Sequence, residues 1–410
     1  MYWRLLRTNR DFRLLYAGAM ISLGGDWFLT VALLDLVLQL TGSAFLASLM
    51  LLCQSLPVFF FTPIAGHVVD RVDRRKLMIG VDIMRTGACL LPLLARTPAM
   101  LPFAYAGVIL ISIGSAYFQP ASQAALPNIV APEELAPANI LMGSTWGAML
   151  AVGAAIGGLV TAKLGRDISF VVDSASFLVS ALILSRMRGS FSEIRDPRFE
   201  IRSGSTNPES RISILESVRE TLRYAKAHPR VLALLTTKGG YGVAAGVIAM
   251  LSVFGKEVFH AGALGIGLLF AARGLGALLG PFLLRFFARN DDAQYRSIVA
   301  CVLVFGAGYC GLALSPNLTV GLFAIFFAHL GGGASWKIST YGLLRDTPDY
   351  IRGRVFAADY GFVTLTISIS SLFAGLGSDA LGPVTATIVT SSAALLFAIV
   401  WGAATWKLWK

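Results

Sequence analysis

Five long runs of this chain contain no charged residue, and they limit the folds that it can adopt. The runs cover residues 36–69, 97–132, 135–162, 297–336 and 380–406. An apolar stretch of about 18 or more uncharged residues is a candidate membrane span. Several runs exceed one span, and turn-forming stretches such as "ARTPAMLP" and "LSPNLT" divide them into helical hairpins. Because lipid offers the backbone no hydrogen-bond partners, the sequence predicts an all-α polytopic membrane protein.

The composition supports this class, since 56% of the residues are hydrophobic and only 14% are charged. Soluble domains are typically about 25% charged. Hydropathy and turn signals together predict twelve transmembrane helices, termed spans 1 to 12. They are expected at about residues 13–38, 43–66, 77–96, 100–126, 136–162, 168–186, 230–255, 261–285, 297–314, 318–342, 355–377 and 383–406.

The distribution of Lys and Arg predicts the orientation of the spans. The chain has 34 of these residues, and most lie in segments that share a side with both termini. The loops on the other side hold only Arg96, Lys163, Arg166 and Lys256. Positively charged loops remain in the cytoplasm, so we expect both termini there. This asymmetry also explains the formal charge of +11 without a nucleic-acid partner, because basic clusters attract anionic headgroups.

One long polar segment, residues 187–229, divides the chain into two halves. It separates a bundle of six helices at 1–186 from a second bundle at 230–410. Its last part, "ISILESVRETLRYAKAH", has apolar residues at helical spacing, which favours an amphipathic helix along the membrane surface. We therefore predict two six-helix domains joined by a cytoplasmic linker.

The two halves look like copies of one another. "LGGDWFLTVAL" in the first half is matched by "KGGYGVAAGVI" in the second, and "ALPNIVAPEELA" by "GLLRDTPDYIRG". A further match, at nearly the same offset, pairs Gly66, Arg71 and Arg75 with Gly280, Arg285 and Arg289. An internal repeat in a membrane protein indicates a transporter whose substrate site lies between the halves near the middle of the membrane.

The stretch "GHVVDRVDRRK", residues 66–76, lies between spans 2 and 3 and resembles the signature of the major facilitator superfamily. "LTGSAFLASL", "AGHVVDRVDRRKLMIGVDIMRTG", "LPNIVAPEELAPAN" and "FAARGLGALLGP" resemble the branch that contains macrolide and siderophore exporters. The resemblance covers nearly the whole chain. It implies the major facilitator fold, in which two pseudo-symmetric six-helix bundles work by alternating access, and a place in the bacterial plasma membrane.

The function that follows from the repeat and the resemblance is secondary active transport. The first hypothesis is proton-coupled efflux of amphipathic or hydrophobic small molecules, of the drug or macrolide type. An alternative is export of an anionic siderophore or lipid-like substrate that binds Lys238, Arg273 and Lys337. A membrane-embedded enzyme or a channel is less favoured, because enzyme motifs are missing and the two-half repeat favours alternating access.

Motifs of enzymes and of metal sites do not occur in the sequence. There is no HExxH, GxSxG or GxxxxGK[ST] pattern, and the four His residues lack ligand spacing. The four Cys residues fall within predicted spans, without disulfide or metal spacing. We expect a protein that is not an enzyme and that needs no cofactor or metal. Its expected partners are the bilayer, a small-molecule substrate and protons, and the chain is expected to be a monomer.

The charged hairpin between spans 2 and 3 is a candidate conformational latch. It comprises Gly66, Asp70, Arg71 and Arg75. Gly66 would allow close helix approach, and the Asp70 carboxylate would meet the N-terminus of span 11 near Val355, a contact worth roughly 0.3–2 kcal/mol. The family resemblance implies the same role, in which the aspartate holds the outward-open state. The matching position in the second half is Leu284, so we expect a one-sided latch; the simpler alternative is a positive-inside anchor.

Ionisable residues within the spans are candidate proton-coupling and cavity groups. This set comprises Asp26, Lys238, Arg273 and Lys337. Asp26 follows two glycines near the middle of span 1, where a buried carboxylate can act as a reversible proton carrier, unless Lys238 or Arg273 holds it in an ion pair. Asp82 and Arg85 are three residues apart on one helix face and are expected to form a structural pair.

Two other acids within the spans have simpler explanations. Asp35 lies near the outer end of span 1, where its carboxylate can reach water. Asp359 lies in the first turns of span 11, where the helix dipole favours an acid.

Span 5 carries "GAMLAVGAAIGG", in which Gly153, Gly157 and Gly158 resemble the glycine motif of antiporters in this superfamily. Ala154 stands where that family usually has proline, which weakens the inference of antiport. The alternative is helix packing through small residues, which implies no transport direction.

A set of aromatic residues is expected to line an apolar cavity, although aromatic rings also pack against lipid. The set comprises Trp27, Phe118, Tyr241, Trp336 and Tyr360.

Overall fold

The computed structural model describes residues 2–69, 71–188, 214–288 and 290–409, and the regular structure in these ranges is helical. Twelve helices are long and apolar enough to cross a membrane, so the predicted all-α polytopic fold is confirmed. Spans 1 to 6 are Arg10–Thr41, Ala44–Val69, Arg74–Ala88, Leu101–Ile129, Leu135–Leu164 and Arg166–Leu184. Spans 8 to 12 are Gly262–Phe287, Asp291–Ala313, Leu318–Asp346, Asp349–Leu381 and Pro383–Thr405.

Span 7 consists of three consecutive segments. The helix Pro229–Ala244 is followed by Val247–Val253 and by a π-helical turn, Phe254–Val258. Ser370 of span 11 accepts a hydrogen bond from the Gly246 N–H at 3.1 Å and so holds the junction between the first two segments. The junction therefore has a side-chain partner for a backbone group that the interrupted helix leaves free.

Polar side chains and glycine set the ends of several spans. Span 1 begins after Asn9, whose side chain accepts a hydrogen bond from the Phe12 N–H at 2.9 Å. It ends at Gly42, whose left-handed φ of 61° suits glycine. Span 3 begins after Asp73, which accepts from the Lys76 N–H at 2.9 Å. Such caps satisfy backbone donors that a helix terminus leaves without partners.

Span 11 begins at Asp349, more than a turn before the position near Val355 that the sequence suggests. The expectation is wrong because Arg352 and Arg354 make this stretch polar, whereas the start of the helix is set by Pro348 at the cap. The free N–H groups of a helix belong to its first turn. The N–H groups of Ile351 and Arg352 donate to the Pro348 carbonyl at 3.2 and 3.1 Å. The N–H groups without a partner in the helix therefore lie at 349 and 350, and the Val355 N–H lies inside the helix.

The same pattern of helix packing occurs in both halves. In the first half, span 1 packs on spans 5 and 6, span 3 on spans 4 and 6, and span 2 on span 4. In the second half, span 7 packs on spans 11 and 12, span 9 on spans 10 and 12, and span 8 on span 10. Between the halves, span 5 packs on span 8 and span 2 on span 11. Adding six to each span number in the first half gives the pairs of the second half. Exchanging the halves in the same way turns the pair of spans 5 and 8 into that of spans 11 and 2, as the internal repeat predicts.

The described part of the linker contains the helix Ile214–Ala227, at the predicted position. Its Glu220 forms an ion pair with Arg354 near the start of span 11. Span 11 packs on span 2 at the interface between the halves. The ion pair therefore connects the linker helix to a helix of this interface. Residues 189–213 of the linker lie outside the described ranges.

Close backbone contact joins spans 5 and 8. A Cβ added to Gly158 would lie 2.8 Å from the Ala263 carbonyl oxygen and 2.8 Å from Gly267 Cα. A Cβ added to Gly274 would lie 2.6 Å from the Ala151 nitrogen. Glycine at these positions lets two helix backbones touch, as is common in membrane helix pairs.

Gly158→Ala should destabilise the protein. Alanine normally favours a helix over glycine by about 1 kcal/mol. At Gly158 the added methyl group meets the backbone of span 8, and overpacking costs about 1–3 kcal/mol. The melting temperature of purified protein in detergent, followed by tryptophan fluorescence, should therefore fall.

Gly143→Ala is the matched control, because it lies in the same helix and an added Cβ has no neighbour within 4 Å. Its melting temperature should not fall. Equal melting temperatures for Gly158→Ala and the unmodified protein would contradict the close contact between spans 5 and 8.

Candidate functional site

Three aspartates and one arginine of the first half lie together inside its helix bundle and are termed the acid cluster. Asp82 and Arg85 come from span 3, Asp173 from span 6 and Asp26 from span 1. The side chains of Asp82, Arg85 and Asp173 are buried, and Asp26 is partly buried. Arg85 Nη1 lies 3.4 Å from Asp82 Oδ1, so the pair expected from their spacing is present.

Asp173 is held by hydrogen bonds and by a close helix contact. Its Oδ2 accepts a hydrogen bond from Cys89 Sγ at 3.1 Å, and its Oδ1 accepts one from Ser176 Oγ at 3.1 Å. Gly25 of span 1 makes room for the carboxylate, because a Cβ there would overlap Asp173 Oδ1. Asp173 is absent from the residues predicted above. It lies within predicted span 6, so the rule for charges inside the membrane would have selected it.

The acid cluster contains more potential negative charges than positive ones. Asp26 interacts electrostatically with Arg85 and Asp82, and Asp173 interacts with Asp26 and Arg85. The cation that Asp26 meets is therefore in its own half of the molecule. One guanidinium cannot neutralise three carboxylates, and an uncompensated charge is unfavourable in a low-dielectric interior. This arrangement can take up a proton and share it among its carboxyl groups.

Aromatic rings surround the guanidinium of the acid cluster. Arg85 Cζ lies 5.2 Å from the ring centroid of Phe118 and 5.1 Å from that of Phe177. Phe118 is thus buried against Arg85 in the first half, away from the interface between the halves. Asp82 Oδ2 and Arg85 Nε have no hydrogen-bond partner among the described residues. The cluster therefore keeps unused donor and acceptor capacity for a proton or water.

The second half holds a different arrangement, a buried pair with balanced charge. Lys238 of span 7 forms an ion pair and hydrogen bond with Asp359 of span 11, and both side chains are buried. Lys238 Nζ also lies 4.9 Å from the ring centroid of Trp336. Lys238 thus pairs with Asp359 and not with Asp26. Lys337 is exposed and interacts electrostatically with Lys238.

An aromatic cluster with one cation lies where the halves meet, and it is termed the interface cage. It consists of Trp27 of span 1, Trp146 of span 5, and Phe270 and Arg273 of span 8. The Trp27 ring centroid lies 6.1 Å from that of Trp146 and 6.2 Å from that of Phe270. Arg273 Cζ lies 5.8 Å from the Trp146 centroid and 5.7 Å from the Phe270 centroid. Spans from both halves therefore contribute to one apolar site with a positive charge.

The remaining predicted aromatic residues do not form one wall with the interface cage. Tyr241 contacts Trp336, with ring centroids 5.6 Å apart, and Phe305, at 4.7 Å. This group lies beside the Lys238 ion pair, inside the second half. Tyr360 is 50% exposed.

The glycines of span 5 are contact points for two other helices. A Cβ on Gly153 would lie 2.8 Å from the Gly24 carbonyl oxygen, and one on Gly157 would lie 2.8 Å from Phe28 Cα, both in span 1. Gly158 faces span 8 as described above. Close packing therefore accounts for all three glycines.

The distal face, defined as the side away from both chain termini, is closed by a carboxylate that joins the halves. Asp379 at the end of span 11 accepts hydrogen bonds from the N–H groups of Ala44 at 2.7 Å and Phe45 at 3.2 Å. Ser43 Oγ donates to the same carboxylate at 2.6 Å. The first turn of a helix has free N–H groups and partial positive charge, so Asp379 caps span 2 across the interface.

A second polar contact closes the distal face between spans 1 and 7. Lys256 Nζ lies 2.6 Å from Asp35 Oδ1 and 2.8 Å from the Asp35 carbonyl oxygen. Among the described residues this is the ion pair that joins the two halves. Asp35, expected to reach water, is thus engaged with a lysine of the other half.

Three of the four predicted latch residues are described, and Asp70 lies outside the described residues. A Cβ on Gly66 would have no neighbour within 4 Å, so the expected close helix approach is not present at this position. Arg75 Nε donates to the Leu184 carbonyl at 3.2 Å and thereby caps the C-terminus of span 6. Arg71 is exposed. Arg75 therefore serves packing within the first half.

Two pseudo-symmetric six-helix halves, joined through spans 5 and 8 and through spans 2 and 11, define a transporter of the major facilitator type. The chain belongs to the family described as transmembrane secretion effector, which it matches over residues 3–408. The class is therefore that of transporters and not of enzymes.

Two of the related proteins have names that describe efflux. The chain is 24% identical to macrolide efflux protein A of Streptococcus pyogenes, over 93% of this chain and 91% of that protein. It is 26% identical to the multidrug efflux pump Tap of Mycolicibacterium fortuitum, over 97% of this chain and 96% of the pump. A solved structure of a bacterial homologue of the human lysosomal transporter Spinster, inward-facing and unoccupied, has a TM-score of 0.71 at 16% identity, with 95% of each chain covered. The last comparison supports the fold.

The buried pair of the second half should behave as a unit in stability measurements. Lys238→Met or Asp359→Leu alone leaves one buried charge without a partner, which typically costs about 3–5 kcal/mol. The double variant removes both charges and should recover most of this loss. Thermal unfolding of the two single variants and the double variant, compared with the unmodified protein, measures the coupling. Additive losses in the double variant would show that the two charges do not stabilise each other.

Asp379→Asn should open the distal face. The amide keeps the shape of the side chain but loses the charge at the start of span 2, worth roughly 0.3–1 kcal/mol, and part of the cap. The total of about 1 kcal/mol changes a two-state ratio about fivefold. Leu164 and Leu381 are both exposed, at the distal ends of spans in different halves. In a protein without the native cysteines, spin labels at these two positions should report a longer distance for Asp379→Asn than for the unmodified residue.

Asp167→Asn is the control for the loss of a carboxylate at the same face. Asp167 is exposed and pairs with Arg96 at 2.7 Å within the first half. Its removal should leave the label distance unchanged. The same distance distribution for Asp379→Asn and Asp167→Asn would contradict a role of the span 2 cap in closing the distal face.

Proposed function

We propose that this chain is a proton-coupled exporter of amphipathic or hydrophobic small molecules that works by alternating access. Its place would be the bacterial plasma membrane, with both termini in the cytoplasm and a monomer as the working unit. Efflux is supported by relatives whose names describe export of macrolides and of multiple drugs. Proton coupling rests on one observation, the excess of carboxylates over guanidinium in the acid cluster.

Span 1 provides the route from the acid cluster to the interface between the halves. Asp26 belongs to the cluster, and the next residue, Trp27, contacts Phe270 of the other half. Proton uptake changes the charge that span 1 presents to Asp173 and Arg85. Substrate in the interface cage acts on the Trp27 ring in the same helical turn. Each ligand therefore favours one position of span 1, and antiport requires that the proton and the substrate favour different positions.

The cap at span 2 supplies one end of an alternating-access cycle. With the termini in the cytoplasm, the distal face is external, and its closure by Asp379 leaves the cytoplasmic side as the route of entry. In the opposite state Asp70, which follows span 2 in the sequence, would bind the N–H groups at 349 and 350 in the first turn of span 11. Spans 2 and 11 would then cap each other alternately, one at each face of the membrane.

A resistance panel tests the exporter. Wild type and Asp26→Asn would be expressed at equal membrane abundance in a bacterium that lacks its own major pumps, and growth inhibition by macrolides, dyes and other lipophilic drugs measured. Resistance from wild type that vanishes in Asp26→Asn supports an exporter that needs this carboxylate. Resistance that survives the substitution keeps the exporter and removes Asp26 as the coupling site. A lack of resistance to every compound would contradict drug efflux.

Asp173→Asn should uncouple transport from protons. The amide can neither bind nor release a proton, so dye transport driven by a pH gradient in proteoliposomes should fall by about tenfold or more. Exchange of labelled for unlabelled dye without a gradient requires no net proton movement and should continue. Asp167→Asn, an exposed acid of the same span, should retain both activities. Equal gradient-driven transport in Asp173→Asn and wild type would exclude Asp173 from coupling.

A further inference from the structure

Arg273 lies deep in the membrane region without a carboxylate partner. At 1.5 Å per residue from Gly262, it is about 16 Å from the distal end of span 8. The hydrocarbon core of a bilayer is about 30 Å thick, which places Arg273 near its middle. Arg273 Nε is buried, and no described residue accepts a hydrogen bond from it.

Three other cations inside the spans are paired, and a fourth, Lys337, is exposed. Arg85 meets Asp82, Lys238 meets Asp359, and Lys256 meets Asp35. A charge held in a low-dielectric interior needs a counter-charge or donors and acceptors of its own. Among the described residues Arg273 forms no ion pair, and the rings of Trp146 and Phe270 face its guanidinium. Such faces compensate a cation partly, and they leave its N–H groups without acceptors.

The polar groups around Arg273 also offer no negative charge. Tyr241, Tyr309 and His329 interact electrostatically with it. The Tyr309 hydroxyl is engaged with His329 Nε2 at 2.9 Å. The acids of the acid cluster interact with Arg85 of their own half. The described surroundings of Arg273 are therefore suited to an anion from outside the chain.

We propose that Arg273 binds the anionic group of a substrate, a carboxylate or sulfonate, while an aromatic or other flat apolar body packs on Trp27, Trp146 and Phe270. The guanidinium offers several N–H donors in one plane, which fits the two or three oxygens of such a group. Trp146 is 45% exposed, so one wall of the interface cage is open to an incoming molecule. This inference rests on the proposed export function for its biological role and narrows the substrates to amphipathic anions.

Depth distinguishes a substrate from a lipid as the source of the anion. Phospholipid headgroups lie about 15 Å from the middle of the bilayer, so a headgroup would have to leave the membrane surface to reach Arg273. A free amphipathic anion between the halves has no such restriction.

Binding of two matched probes tests the site. Anilinonaphthalene sulfonate and N-phenylnaphthylamine share an aromatic body, and only the first carries a charge. The full chain would be placed in phosphatidylcholine nanodiscs, and energy transfer from tryptophan to each probe would give the dissociation constants. Arg273→Gln should weaken binding of the sulfonate about tenfold or more, because a charge-assisted hydrogen bond is lost, and should leave binding of the neutral probe within about twofold.

Arg285→Gln is the matched control, because it removes an exposed arginine from the same helix. It should leave both dissociation constants unchanged, whereas an effect equal to that of Arg273→Gln would attribute the loss to net charge and overturn the proposal. Arg273→Gln that binds both probes as wild type does, or that loses both equally, would also overturn it. Nanodiscs with anionic phosphatidylglycerol test the lipid: if the difference between wild type and Arg273→Gln disappears there, a headgroup occupies the site.

These binding results are independent of transport. Selective loss of sulfonate binding supports the anion site even where the resistance panel shows no efflux, in which case the proposed function fails and the site stands. Efflux of drugs by a protein whose sulfonate binding does not depend on Arg273 would support the proposed function and overturn the anion site.

Discussion

Backbone contact through the glycines of span 5 is the constraint on which the arrangement of the halves depends. Gly153 and Gly157 let span 1 approach, and Gly158 lets span 8 approach from the other half. Three helices thus meet without large side chains between them. Because interiors are close-packed, a shift of span 1 cannot be absorbed by empty space and must be passed to its neighbours. Beside this contact, span 1 carries Asp26 of the acid cluster and Trp27 of the interface cage, so it connects the two kinds of charge in the molecule.

The two halves differ in their charge although they share their packing. The first half holds three aspartates around Arg85, and the second holds the balanced pair of Lys238 and Asp359. Arg273 adds a positive charge at the interface. In the proposed function a proton enters the negative half and an anionic substrate meets the positive interface. Coupling then needs no direct contact between proton and substrate. It needs a helix whose position both of them affect, and span 1 meets this requirement.

The sequence predicts features that depend on neighbours along the chain and misses those that depend on neighbours in space. The twelve spans follow from uncharged runs, and the Asp82–Arg85 contact follows from a spacing of one helical turn. The pairing of Lys238 with Asp359 joins two helices far apart in sequence, so no spacing rule identifies it. The sequence predicts too late a start for span 11, because the charged residues Arg352 and Arg354 suggest that the helix begins after them. A helix can, however, extend beyond the hydrocarbon layer, and span 11 begins at Asp349.

The two interfaces between the halves are built from different chemistry, and the repeat makes the difference visible. Gly165 and Gly382 occupy the same turn in each half, with φ of 90° and 85°. Counted back from these glycines, Asp379 corresponds to Ala162. The carboxylate cap therefore belongs to the pair of spans 2 and 11 and has no copy in the pair of spans 5 and 8, where backbones touch through glycine. A cap is worth only about 1 kcal/mol and can be exchanged between states, whereas close packing is lost only at larger cost. In the proposed alternating-access cycle, spans 5 and 8 would serve as the permanent hinge, and spans 2 and 11 as the gate that moves about it.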